Sequence, residues 1–240
     1  YMLDFRDFIS EGLQDPATFK AIMMAGGAGS GKSRMVSDTA VQAFGMRLSN
    51  SDPAFEQGLK KAGLKLNSKD IMSAQGQAIR MVAKKLTDKQ KETWLEGRLG
   101  IVVDGTGKDL DDVKNEVKLM MDMGYDVGMI FVNTELETSI ERDKNRKRTL
   151  GRAMVTKTWE DVQRNRDVFK RMFGAQFVEI DNSIDPRSPN GFKDLSKETL
   201  AAFKKFRSWI NKEPTNPIYK KWVKSEMDKN NIKSYKRPKV

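Results

Sequence analysis

Eight consecutive residues carry the clearest chemistry in this chain: Gly26, Gly27, Ala28, Gly29, Ser30, Gly31, Lys32 and Ser33. They fit G-x-x-x-x-G-K-[ST], in which glycines let the backbone curl until successive N–H groups face an anion. The lysine then reaches the β- and γ-phosphates of a nucleoside triphosphate, and the hydroxyl sits on Mg²⁺. Context supports the pattern. Lys20–Ala25 is short and mostly apolar, as a buried parallel strand is. From Arg34 to Val41 the chain continues as a helix whose N-terminus adds its dipole to the anion site, and Arg34 joins the loop as a triphosphate-binding residue. The expected ligands are ATP and Mg²⁺.

Two carboxylates follow at strand ends. Met46–Asn50 reads as a weak strand, broken by Ser51-Asp52-Pro53, which leaves Asp52 at the C-terminal edge where open α/β sheets bind ligands. Leu99–Asp104 is a hydrophobic strand ending in a carboxylate and followed by Gly105-Thr106-Gly107. That is the form of a Walker B strand, with Asp104 holding the metal beside Ser33. A plain helix cap is the alternative role for Asp104. The D-x-x-G reading of the same residues lacks an N-K-x-D guanine motif elsewhere. A third cluster runs from Glu141 to Arg152, where Arg142 and Arg146 lie one turn apart and point two guanidiniums at one anion. A solvated basic helix is the bland alternative; its place after the fourth strand favours a phosphate clamp.

The elements that position these residues follow from periodicity. Leu3–Ile9 has helical spacing. Pro53 to Gly97 is helical by pattern: Phe55, Leu59 and Ala62 form one stripe, and Ile71, Ala74, Ala78, Val82 and Leu86 a longer one. Thr87, with Gln90, caps a third segment. Leu110, Val113, Val117 and Met120 share a helix face that Gly124 closes, and Val127–Val132 is a fourth strand. Thr134 and Glu137 form a capping box, and Thr158 caps a helix with Val162 and Phe169 inward. Gln176–Asp181 is the fifth strand, residues 184–194 a connector, and Leu195–Ile210 a helix with Leu200, Phe203, Phe206 and Ile210 as its stripe.

Composition sets outer bounds. The 240 residues include no cysteine and no histidine, so disulfide, thiolate and imidazole chemistry are excluded. Catalysis rests on carboxylates, amines, guanidiniums, hydroxyls and a hard cation. A net charge of +11 suits a polyanionic partner or a solubilising surface equally. No apolar run approaches the roughly 20 residues that span a bilayer, so no membrane association is expected, and a chain without cysteine suits a reducing cytoplasm. Beyond Lys212 the tail is basic, with Tyr219, Trp222 and Tyr235 among lysines, placed either to stack on nucleotides or to pin the tail to its own domain.

Taken together, the P-loop, Ser49-Asn50-Ser51-Asp52, Asp104-Gly105-Thr106 and Glu141-Arg142…Arg146 resemble the phage- and bacterial-type P-loop kinases grouped with zeta toxins and polynucleotide kinases, over about Ile22 to Ser183. The resemblance implies a P-loop NTPase fold of three α/β/α layers around a five-stranded parallel sheet, with an arginine-rich lid. The core spans 1–183, with a helical insertion at 53–98 on the acceptor side and the lid at 141–157. A helix at 184–211 packs on it, and 212–240 is the basic tail. It further implies Asp52 as general base at the acceptor hydroxyl, Asp104 and Thr106 as acceptor-binding residues, and Arg142, Arg146 and Arg152 on the triphosphate. Such kinases often carry an arginine one turn after the catalytic carboxylate; here that place is Phe55, followed by Glu56. The expected activity is ATP-dependent phosphorylation of a hydroxyl on a nucleic acid, nucleotide or nucleotide-sugar. A nucleic-acid-binding ATPase and a small-metabolite kinase are the competing readings.

Overall fold

In the computed structural model the described residues are 12–32, 44–146, 149–183 and 191–240. The expected helices at 3–9 and 34–41, Ser33, Arg34, and connector residues 184–190 lie outside them.

Five strands, β1 (Lys20–Ala25), β2 (Arg47–Ser49), β3 (Ile101–Asp104), β4 (Asp126–Asn133) and β5 (Phe177–Asp181), form one parallel sheet in the order β2-β3-β1-β4-β5. All six residues of β1 are buried, because it is the central strand and is covered on both faces. Side chains alternate across the sheet. Ile22, Met24, Val102, Ile130, Val132, Val178 and Ile180 face one layer. Ala21, Met23, Ala25, Ile101, Val103, Met129 and Phe131 face the other.

Among the described residues, eight α-helices cover these faces or extend from them: α1 (Asp52–Lys61), α2 (Ser68–Met72), α3 (Ala74–Glu96), α4 (Leu110–Asp122), α5 (Leu136–Lys144), α6 (Arg152–Phe173), α7 (Gly191–Ile210) and α8 (Pro217–Lys229). Ala202, Phe206 and Ile210 of α7 close the first face. Val117 and Met120 of α4, Val162 and Phe169 of α6 and Tyr219 of α8 close the second. This is a three-layer α/β/α fold. Helices α1, α2 and α3 share a small core of their own around Phe55, Leu59, Ile71 and Ala83, forming the insertion.

Several local expectations are corrected. Helix α3 runs unbroken through Thr87, whose hydroxyl donates to Ala83 O instead of capping a new helix. Ser73 is the N-cap of this helix, its side chain accepting from Gly76 N at 3.0 Å. Its expected apolar stripe is also displaced: Val82 and Leu86 are exposed, and Ala83 is buried. Thr134 is buried and donates its hydroxyl to Ser30 O, so no capping box forms at α5. Helix α6 begins at Arg152, six residues before Thr158, which bonds back to Met154 O. The carboxylate of Asp143 anchors that start by accepting from Leu150 N and Gly151 N. Leu200 of α7 is exposed.

The tail packs on its own domain. Phe19 lies 5.5 Å from Tyr219 and 5.3 Å from Trp222, centroid to centroid. Tyr235 donates its hydroxyl to Leu13 O, and the buried Arg237 donates to Pro16 O and Thr18 O. Of the two roles open to these aromatics, the structure shows the pinning one.

Candidate active site

Strand β1 is flanked by β3, which follows β2 in the chain, and by β4, which leads away to the other edge. The order reverses at β1, so a crevice opens at its C-terminal end, where doubly wound sheets bind ligands. The glycine-rich loop leaves β1 there. Gly26 N donates to Thr106 O at 2.9 Å, tying the loop to the end of β3. Asn182, just past β5, donates its amide to Ser30 O at 2.6 Å, and Thr134 adds a second donor to the same carbonyl. Two glycines here are required by geometry. Gly29 has φ +78, and a Cβ on it would stand 2.4 Å from Ser139 O; Gly31 has φ +85, with Asn182 Nδ2 at 2.3 Å from the same position.

Lys32 follows, half-buried, with Nζ donating to Gly26 O. Burial pushes its pKa down, Arg146 pushes the same way, and Asp104 and Asp52 oppose both. The amine therefore lies within electrostatic reach of both strand-end carboxylates and of a lid arginine. Asp104 closes β3 half-buried, and its pKa is raised by burial and by Asp52, against the pull of Lys32. Asp52 is the exposed first residue of α1. Its N–H donates to Asn50 Oδ1 at 2.8 Å, and the Asn50 amide donates to Asp104 Oδ2 at 3.0 Å. Asn50 thus fixes the two carboxylate-bearing segments relative to each other.

From the opposite side come the arginines. Arg142 Nη1 lies 3.8 Å from where a Cβ on Gly31 would stand, so it faces the loop from α5. Arg146 follows the end of α5, its N–H on Asp143 O. Arg152 stands apart from these: it is exposed, and its guanidinium grips Glu137 with two hydrogen bonds. Thr106 contributes its backbone carbonyl to the loop, and its hydroxyl lies 3.4 Å from Lys108 N.

Next to Asp104 an open cleft of about 680 Å³ lies between the insertion and α4. Ser49, Ser51, Asp104 and Thr106 form its loop-side end, and Lys84, Thr87, Asp88 and Lys91 of α3 form one wall. Asn50, Asn182, Thr134 and Asp143 were not expected as site residues. Only Asn50 had a local signal, an Asx side chain two residues before a helix start.

For Mg²⁺, the donor set is chemically suitable. Asp104 is a hard oxygen donor whose burial beside Asp52 favours a nearby cation. Mg²⁺ needs only one or two protein oxygens besides phosphate and water. No group of three metal-ligating residues exists among the described residues, as such a site allows.

A protein-family model described as Zeta toxin matches residues 62–188, just over half of the chain. The match begins downstream of both the P-loop and Asp52. No curated protein matches in sequence. Among solved structures, a chain of the AvrRxo1-ORF1:-ORF2 complex with ATP is similar at TM-score 0.54 and 17% identity, over 74% of this chain and 60% of that one. This chain therefore spans about three fifths of that relative's length. A chain of the PezAT chromosomal toxin–antitoxin system of Streptococcus pneumoniae is similar at TM-score 0.51 and 13% identity, over 88% of this chain and 99% of that one. At these identities the likeness is one of fold.

Proposed function

The chain belongs to the zeta toxin family, and from that membership we propose that it is an ATP-dependent phosphotransferase acting on a hydroxyl acceptor. The observation that carries this reading is the convergence of Lys32, Asp104, Asp52 and Arg146 at the end of β1, beside an open cleft.

The loop amides and Lys32 hold the β- and γ-phosphates, whose charge offsets the burial cost of the ammonium. The acceptor oxygen attacks the γ-phosphorus in line, a new O–P bond forms, and the bond to the β–γ bridging oxygen breaks, releasing ADP. Asp52, exposed at the cleft mouth, takes the acceptor proton. Arg142 and Arg146 neutralise charge on the transferred phosphoryl group; Arg152, now on Glu137, joins them by exchanging that partner. Ser33 and Asp104 would hold Mg²⁺, which supplies further charge neutralisation at the phosphates. Thr106 and Asp104 border the acceptor. Positioning and electrostatics suffice for this transfer, so a chain without histidine or cysteine can perform it.

The acceptors that the resemblance implies are hydroxyls of nucleic acids, nucleotides and nucleotide-sugars. The test is transfer from γ-labelled ATP to oligonucleotide 5′-ends, nucleosides and nucleotide-sugars, by wild type and Asp52→Asn. Labelled product from wild type and a loss of about 10²-fold or more in the variant are expected. Undiminished transfer by the variant removes Asp52 from the role. ATP hydrolysis stimulated by DNA or RNA with no phosphorylated product would replace the reading with that of a nucleic-acid-binding ATPase.

A further inference from the structure

The chain's surplus of positive charge is concentrated in its last segment. Residues 212–240 hold nine lysines and arginines against three carboxylates, a surplus of six out of the total +11. The fold gathers that charge at one pole. Helix α8 buries Tyr219 and Glu226 and packs Trp222 and Val223 on the core, which leaves Lys220, Lys221 and Lys224 exposed on its outer side. The tail divides in the same way. Tyr235 and Arg237 turn inward to Leu13 O and to Pro16 O and Thr18 O, while Lys236 and Lys239 stay exposed.

Tertiary contacts join these lysines into one surface. The Arg237 guanidinium lies 5.8 Å from the centre of the Tyr219 ring, so the chain at Lys236 runs beside the chain at Lys220. Val240 N donates to Asn211 Oδ1 at 2.9 Å, which sets Lys239 beside the exposed Lys212. Lys212 and Arg237 both lie within electrostatic reach of Lys20, the first residue of β1. This pole is therefore the N-terminal edge of the sheet. The glycine-rich loop leaves β1 at its other end, about 17 Å away at the rise of a parallel strand.

The six exposed lysines have no acceptors of their own. None joins an ion pair among the described residues, and Glu226, one of the three carboxylates in the segment, is held by Lys229 at 2.8 Å. What else the pole offers narrows the partner. Single-strand binders present aromatic faces to bases, but here Tyr219 is buried, and Trp222 and Tyr235 are half-buried against the domain. Membrane-surface binders set an apolar face beside their cations, whereas Ile218 is the one large exposed hydrophobic among residues 212–240. The single arginine of the segment is buried, so every exposed cation is a lysine, a point charge without the fork that reads guanine. Such a surface matches regularly spaced phosphates and ignores base identity.

We propose that this pole is a sequence-independent binding surface for double-stranded nucleic acid, separate from the catalytic crevice. It tethers the protein to a duplex while the crevice faces away, and it takes no part in phosphoryl transfer. It therefore stands or falls independently of the phosphotransferase reading.

The test is fluorescence anisotropy without ATP, using labelled DNA duplexes of about 20 base pairs and two unrelated sequences. Wild type should bind both alike and lose about 10³-fold in affinity between about 50 and 200 mM salt, the dependence of about six phosphate contacts. The triple variants Lys220→Gln/Lys221→Gln/Lys224→Gln and Lys212→Gln/Lys236→Gln/Lys239→Gln each remove three contacts. In each, the loss over the same salt range should shrink to about 40-fold, with ATP affinity and melting temperature at wild-type values. Lys220→Arg/Lys221→Arg/Lys224→Arg, which keeps the charges, should retain the wild-type dependence. No duplex binding by wild type at low salt, or triple glutamine variants with the wild-type salt dependence, overturns the proposal. Binding to phosphatidylserine vesicles with none to either duplex overturns it as well.

Discussion

The sharpest structural prediction concerns Gly31 and its neighbour Asn182. Gly31 has φ +85, where an alanine costs roughly 1–2 kcal/mol. Its new methyl would also stand 2.3 Å from Asn182 Nδ2. That amide has little room to retreat. It is buried and donates to Ser30 O at 2.6 Å, while the backbone N–H of the same residue donates to Asn133 O at 2.8 Å. Displacing it takes one of two donors from the buried Ser30 carbonyl, which keeps the Thr134 hydroxyl, a further cost of roughly 0.5–1.5 kcal/mol. In Gly31→Ala the free loop relaxes to escape this conflict, and ATP binding must restore the strained form. The expected loss of ATP affinity is about 1.5–3.5 kcal/mol, or about 10- to 400-fold. Asn182→Ala removes the obstacle, so the double variant should bind ATP no worse than Gly31→Ala within about threefold. Calorimetric titration with ATP across the four-protein cycle is the assay, with thermal melting as the control for folding. Wild-type affinity in Gly31→Ala, or strictly additive losses in the double variant, would refute this loop geometry.

Other perturbations test other joints. Asp143→Asn weakens the carboxylate that receives Leu150 N and Gly151 N; a loss of about 1–2 kcal/mol in lid order should appear as a kcat about tenfold lower, with a smaller change in melting temperature. Asp126→Asn strips the buried Lys20 of the carboxylate 2.7 Å away. It should destabilise the fold by about 2–3 kcal/mol at pH 7, below the range for a fully buried pair because Asp126 is partly exposed. Burial already lowers the Lys20 pKa below 10.5. The folded state therefore sheds this proton at lower pH than the unfolded chain does, and the variant's deficit should narrow as pH rises towards 10.5. Denaturant titrations at pH 7 and pH 10 check the sign; a deficit that widens contradicts it. Tyr219→Ala should cost about 3–5 kcal/mol of stability, because the ring is buried on Phe19, and should leave oligonucleotide affinity at its wild-type value.

Much of the core was legible because buried parallel strands are short apolar runs. Lys20–Ala25, Val127–Val132 and the strand ending at Asp104 stand within a residue or two of their expected positions. The glycine-rich loop was legible because its spacing is itself a geometric demand. The insertion was harder. An exposed helix resting on a small core needs few apolar residues, so the run through Val82 and Leu86 imitated a stripe that faces solvent. Thr87, Thr134 and Thr158 each resembled an N-cap, yet a threonine hydroxyl also bonds a carbonyl one turn back or on a distant loop, and only tertiary packing selects between these. Asn182 and Asp143 were illegible for the same reason: their partners are Ser30 and the 150–151 backbone, set by topology and not by spacing. Composition left two roles open to the tail's aromatics, and packing commits them to Phe19 and Leu13.

The central claim is that Lys32, Asp52 and the lid arginines transfer the γ-phosphoryl group to an acceptor hydroxyl. Its most direct measurement is a mass-spectrometric count of phosphorylated acceptor against ADP formed, with wild type and Asp52→Asn at saturating ATP. One phosphorylated hydroxyl per ADP is expected in the wild type, and in the variant a transfer rate lower by about 10²-fold or more with ATP affinity retained. ADP formed without any phosphorylated acceptor, or a variant as fast as the wild type, would contradict it.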